Sequence, residues 1–162
     1  MLEDFEIRFA KREDTKLVLK FIKELAEYEE LLDEVIADAD TLEKSLFDRK
    51  MAEVIIGEYQ NKPVGFALFF HNFSTFLGKP GIYLEDLYIK PEYRGNGFGK
   101  QLLSFLADLT VKRDCGRLEW WVLNWNKSSI DFYESLGAQA MDEWTVYRLT
   151  GESLEDLADD VK

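Results

Sequence analysis

One stretch, residues 82–124, constrains the fold more than any other part of the chain. Ile82 to Ile89 (IYLEDLYI) reads as a strand, and Pro91 ends it. A turn with three glycines, Arg94-Gly95-Asn96-Gly97-Phe98-Gly99-Lys100, then opens a segment in which Leu102, Leu103, Phe105, Leu106 and Leu109 recur at helical spacing to about Arg113. Residues 117–124 (RLEWWVLN) read as another strand. A strand, a helix and a second strand in succession form a right-handed crossover that makes the two strands parallel. An all-helical or all-antiparallel fold is thereby excluded.

The remaining segments build outward from this unit. Phe5-Glu6-Ile7-Arg8-Phe9 alternates apolar and charged residues as a half-buried strand does. Asp14 or Thr15 can cap a helix carrying Val18, Phe21, Ile22 and Leu25, and a short helix near Asp40 carries Leu42, Leu46 and Phe47. Residues 52–59 and 64–73, separated by Gln60-Asn61-Lys62-Pro63, form a hairpin, and the loop 74–81 leads into the strand at Ile82. Residues 127–136 read as a helix and 144–149 (WTVYRL) as a last strand. The 162 residues suit one α/β domain spanning 1–162, with a mixed central sheet and helices on both faces.

Charge narrows the function. The net charge of −12 argues against a partner bound through its phosphates, so no nucleic acid is expected. The distribution is uneven: residues 90–127 carry 7 basic and 4 acidic residues, whereas 1–89 carry 11 and 19 and 128–162 carry 2 and 9. No apolar run reaches the length of a membrane span, and residues 1–14 lack the order of a signal peptide, so a cytoplasmic protein off the membrane is expected. Cys115 and His71, each single, supply no metal site, and none is expected.

The glycine-rich turn lies between a strand and a helix, where unpaired N–H groups and the helix dipole favour an anion. Arg94 and Lys100 are expected to add charge there. The dinucleotide fingerprint would need glycine at Lys100, and the nucleotide P-loop would need glycine at Arg94 and Ser or Thr at Gln101. Neither fits.

Arg94, Gly97 and Gly99 do fit R-x-x-G-x-G, which resembles the acetyl-CoA loop of the GNAT N-acetyltransferases. The flanking strands and Trp125-Asn126 before an aromatic-rich helix extend the resemblance to roughly residues 5–150. The stretches 22–30 (IKELAEYEE), 82–99 and 124–138 are similar to the diamine (spermidine/spermine) acetyltransferases and their thialysine-acetylating relatives. The resemblance implies cofactor contacts from Leu87, Tyr88, Ile89, Arg94, Gly95, Asn96, Gly97, Phe98, Gly99, Lys100 and Asn126. It also implies Tyr133 as general acid, Tyr28, Glu29 and Trp144 on the substrate side, and a homodimer. Where diamine acetyltransferases have Asp-Pro-Trp, this chain has Ser74-Thr75-Phe76, closer to the thialysine type.

The chemistry gives independent reasons for some of these roles. An alkyl amine with a pKa of ~10.4 needs a base or a desolvating pocket at neutral pH. Glu85 and Asp86 interrupt an apolar strand, where unpaired charge is costly, although alternation puts one on each face. Glu85 is assigned as base, acting through water, and Asp86 as a contact for the cationic substrate. Backbone N–H groups around Tyr88 are the expected oxyanion donors. The function these residues imply is acetyl-CoA-dependent acetylation of a small cationic amine. A protein or peptide acetyltransferase of the same fold, or a CoA-binding sensor without turnover, are the alternatives.

Overall fold

The computed structural model describes residues 2–161, which divide into two compact units, 2–123 and 124–161. The first is a five-stranded sheet in the order β1-β2-β3-β4-β5: β1 (Phe5–Phe9), β2 (Glu53–Tyr59), β3 (Lys62–Ser74), β4 (Lys79–Ile89) and β5 (Leu118–Trp120). Neighbours are antiparallel except β4 and β5, which run parallel as the crossover requires.

Strand alternation distributes the helices between two faces. Phe66 and Tyr88 turn toward α1 (Thr15–Tyr28), where Val18 and Phe21 join them with Leu46 in one buried cluster. Their neighbour Ile89 points the other way, toward α3 (Phe98–Lys112), which buries Leu102, Leu103 and Leu106. A short helix, α2 (Ala39–Glu43), runs directly into a wider π turn, Lys44–Asp48.

Two boundaries and one cap differ from the sequence reading. The β2–β3 turn contains only Gln60 and Asn61, both at positive φ, so the strands extend further than a four-residue turn would allow. Asp14 stands at the N-cap position of α1, but its side chain makes no cap hydrogen bond. Its carboxylate accepts from Lys11 N (2.7 Å) and pairs with Arg8 Nη1 (2.8 Å) and Nη2 (3.0 Å), closing the turn before the helix. The expected strand over 117–124 shortens to Leu118–Trp120. It pairs only with Ile82–Leu84.

The second unit contains α4 (Lys127–Ser135), close to the expected helix, and α5 (Gly151–Asp159), which the sequence reading left out. Residues 144–149 are not a strand: among the described residues no ladder partner is paired with them, and a strand is stable only when its N–H and C=O groups are shared with a neighbour.

Candidate active site

The site begins with one extra residue in β4. Leu84 pairs with Phe69 and Asp86 with Leu68, leaving Glu85 unmatched in a β-bulge. The bulge changes the phase of alternation, so Tyr83, Glu85, Asp86 and Tyr88 all lie on the α1 face. The expectation that Glu85 and Asp86 occupy opposite faces is therefore corrected: simple alternation does not survive an inserted residue. The last turns of α1 bring Glu24, Tyr28 and Glu29 to the same side.

Three carboxylates feel one another there. Burial, then the charges of Glu85 and Glu29, push Asp86 up to about 7. Burial and Glu85 also raise Glu29. Tyr88, buried beside the Glu24 carboxylate, is pushed up to about 12, and burial beside Glu85 and Glu119 raises Tyr83. Such a face disfavours its own negative charge and gains free energy from a cation.

The anion side lies at the N-terminus of α3. Gly95 and Gly97 adopt φ of 80° and 81°, a region in which a Cβ is strained. The first-turn N–H groups of Phe98, Gly99 and Lys100 precede any helical acceptor. Gly99 is informative because glycine inside a helix costs roughly 0.5–1 kcal/mol relative to Ala. A Cβ there would meet nothing of the protein closer than Ile89 Cγ1 at 3.8 Å. Internal packing does not require glycine there. The Phe98 side chain belongs to the core, stacked 4.4 Å from Phe5, which leaves only its backbone for a ligand. Asn96 Nδ2 donates to Tyr93 O at 3.0 Å and shapes the turn, and Lys100 is exposed.

Arg94 does something else. Its Nε donates to the Ile89 carbonyl (2.8 Å), and its guanidinium lies 4.7 Å from the Tyr28 ring centroid and 5.6 Å from that of Tyr88. These cation–π contacts and the Ile89 carbonyl hold the guanidinium toward the end of α1.

Between the two sides, β4 has an open edge. β5 ends opposite Leu84, so among the described residues no strand pairs with that edge from Glu85 onward. Lys90 N donates to Val64 O (2.9 Å), which fixes the ladder phase. Tyr88 N–H therefore faces β3, and the N–H groups of Leu87 and Ile89 face the open edge.

Asn126, Tyr133 and Trp144 belong to the second unit. Asn126 Oδ1 accepts from Ser129 N (3.4 Å) as the N-cap of α4, Tyr133 is in that helix next to Phe132, and Trp144 N donates to Met141 O (3.2 Å). The sequence reading gave Glu24 only a share in the acidic end of the helix and gave the Tyr88 side chain no role. The spacing of Glu24 and Tyr28, one helical turn apart, was the available signal. Among the described residues no group of three or more His, Cys, Asp and Glu could hold a metal ion, and no helix is long and apolar enough to cross a membrane.

A strand, a glycine-lined helix N-terminus and an acidic face on opposite sides of an open strand edge define an acyl-transfer scaffold. The Acetyltransferase (GNAT) family profile matches residues 18–138, and the chain belongs to that family. It is an enzyme that transfers acetyl groups from acetyl-CoA, the donor this family uses. The chain is 37% identical to the thialysine N-epsilon-acetyltransferase of Bos taurus, covering 94% of this chain and 96% of that one. It is 44% identical to an L-ornithine N5-acetyltransferase of Arabidopsis thaliana over 75% of this chain and 50% of that protein. An integron cassette protein from V. cholerae has a similar structure, with a TM-score of 0.80, 29% identity and coverage of 97% and 99%.

Proposed function

We propose that this enzyme acetylates the side-chain primary amine of a small cationic substrate of the thialysine, lysine or ornithine kind. The observation that carries the reading is the convergence of Glu29, Glu85 and Asp86 on one face of β4, produced by the bulge at Glu85. The names of the relatives, which act on thialysine and L-ornithine, support the same substrate class.

In this reading acetyl-CoA supplies an activated acetyl thioester, held by the loop from Arg94 to Lys100 and by the open edge at Leu87 to Ile89, to which the family resemblance adds Asn126. Glu29 and Asp86 attract the ammonium and, with Tyr28, position it; the family resemblance gives Trp144 a substrate-side role. The Glu85–Asp86 pair accepts its proton, Glu85 through water. Asp86 changes charge near pH 7, where a general base works best. The N–H groups of Leu87 and Ile89 face the side on which negative charge develops. Tyr133 returns a proton to the departing thiol. A homodimer, on the strength of the family resemblance, and a cytoplasmic location without metal, nucleic acid or membrane partner, on charge and composition, complete the proposal.

An amino-acid amine is favoured over a polyamine by the β3–β4 turn. Ser74 is buried there, its Oγ accepting from Leu77 N (3.2 Å), so it offers no anion to a distant ammonium. A thiol-release assay over thialysine, lysine, ornithine, spermidine and a lysine peptide tests this. The amino acids are expected to exceed spermidine tenfold or more in kcat/KM. A tenfold advantage for spermidine would replace this reading with a polyamine one, release with the peptide alone would make the enzyme a peptide acetyltransferase, and release with none would contradict a small-amine acceptor.

A further inference from the structure

A cleft of about 350 Å³ lies beside the carboxylate cluster, bounded by Glu24, Glu27 and Tyr28 of α1 and by Tyr88, Pro91 and Arg94. Its size suits a small ligand. Two of its lining groups have incomplete partnerships of opposite sign. Glu24 Oε2 is buried and accepts no hydrogen bond; the other oxygen of this carboxylate lies 4.0 Å from Lys20 Nζ. Arg94 commits only Nε, to the Ile89 carbonyl, and its Nη groups donate to nothing among the described residues. The Tyr28 and Tyr88 rings stand against the guanidinium. An anion and a cation with spare bonding capacity, walled by aromatic rings, suit a ligand that itself carries both charges close together.

We propose that this cleft binds the α-ammonium and α-carboxylate of the acceptor amino acid, Glu24 taking the first and Arg94 the second. The inference rests on the small-amine reading and extends it to the part of the substrate that does not react.

Distance along β4 supports the assignment. Asp86 and Tyr88 share a face two residues apart, roughly 6.6 Å along a strand. The five single bonds from the α-carbon of lysine to its terminal nitrogen span roughly 6 Å when extended, with single bonds of ~1.5 Å. A head group beside Tyr88 and Arg94 therefore leaves the terminal amine at Asp86 and Glu85, with the methylenes along the strand. A polyamine has no carboxylate to offer Arg94, which gives a second reason for the preference proposed above.

The test compares substrates that differ by one group: lysine, 1,5-diaminopentane, which lacks only the carboxylate, and 6-aminohexanoate, which lacks only the α-ammonium. Wild type is expected to prefer lysine over each by roughly ten- to hundredfold in kcat/KM, the range for a charge-assisted contact. Arg94→Gln should bring the lysine to 1,5-diaminopentane ratio close to one, and Arg94→Lys should restore part of it. Glu24→Gln should reduce only the lysine to 6-aminohexanoate ratio. An effect of Arg94 on acetyl-CoA changes all substrates equally and leaves the ratios intact. Binding of acetyl-CoA by each variant, read as a thermal shift, confirms that it is folded. Wild-type ratios near one, or ratios unchanged in the variants, would overturn the head-group cleft while leaving the small-amine reading standing; absence of thiol release with every amine would overturn both.

Discussion

At the scale of single residues, Asp86 carries the clearest conflict between stability and chemistry. Its folded pKa, about 7, lies above the ordinary value of 3.8 because the side chain is buried beside Glu85 and Glu29. A raised carboxyl pKa means that the folded state binds the proton more tightly than the unfolded state. Stability is then lost as pH rises from about 4 to about 7, and the full penalty is present above 7. Asp86→Asn removes that penalty, so its Tm at pH 8 should exceed that of wild type, each kcal/mol of relief giving about 2–4 °C. The gain should shrink as pH falls through 7 toward 5. The same substitution should lower kcat/KM for the amine by roughly 10²–10⁴-fold and abolish its inflection near pH 7. Calorimetry at the two pH values with a pH–rate profile checks both. A lower Tm at pH 8, or an unchanged profile, would show that Asp86 is a structural residue.

At the scale of elements, the turn into α3 is where glycine, helix and strand edge combine. Gly97 sits at φ 81°, a conformation Asn and Asp tolerate better than other side chains, so Gly97→Asn and Gly97→Asp should both fold. They are nearly the same shape and differ in charge. The Asp variant should therefore bind acetyl-CoA at least tenfold more weakly than the Asn variant, measured by titration calorimetry; equal affinities would place the pyrophosphate elsewhere. This element was legible from sequence because Pro91, the glycine spacing and the leucine periodicity each mark a boundary. The bulge at Glu85 was not, since no Gly or Pro accompanies it and only the pairing of β4 with β3 reveals it. Nor was the end of β5: Trp121, Val122 and Leu123 have strand propensity, but propensity without a ladder partner does not make a strand. The orientation of Arg94 depended on Tyr28, far away in sequence, which local spacing does not encode.

At the scale of the whole molecule, charge and topology agree. The segment that turns around the proposed cofactor site is the one net-positive part of a chain whose formal charge is −12, and the acidic end of α1 meets the carboxylates of β4 on the opposite side of the strand edge. A field of this kind draws a small cation toward one side while sparing an anionic cofactor on the other. The central claim is that the cation so drawn is acetylated on its side-chain nitrogen. The most direct measurement is to incubate the enzyme with acetyl-CoA and thialysine or lysine, and to identify the acetylated nitrogen by tandem mass spectrometry while counting the thiol released. One acetyl group on the terminal nitrogen, with one thiol released per product, is the predicted result; acetyl on the α-nitrogen, or thiol release without an acetylated amine, would contradict it.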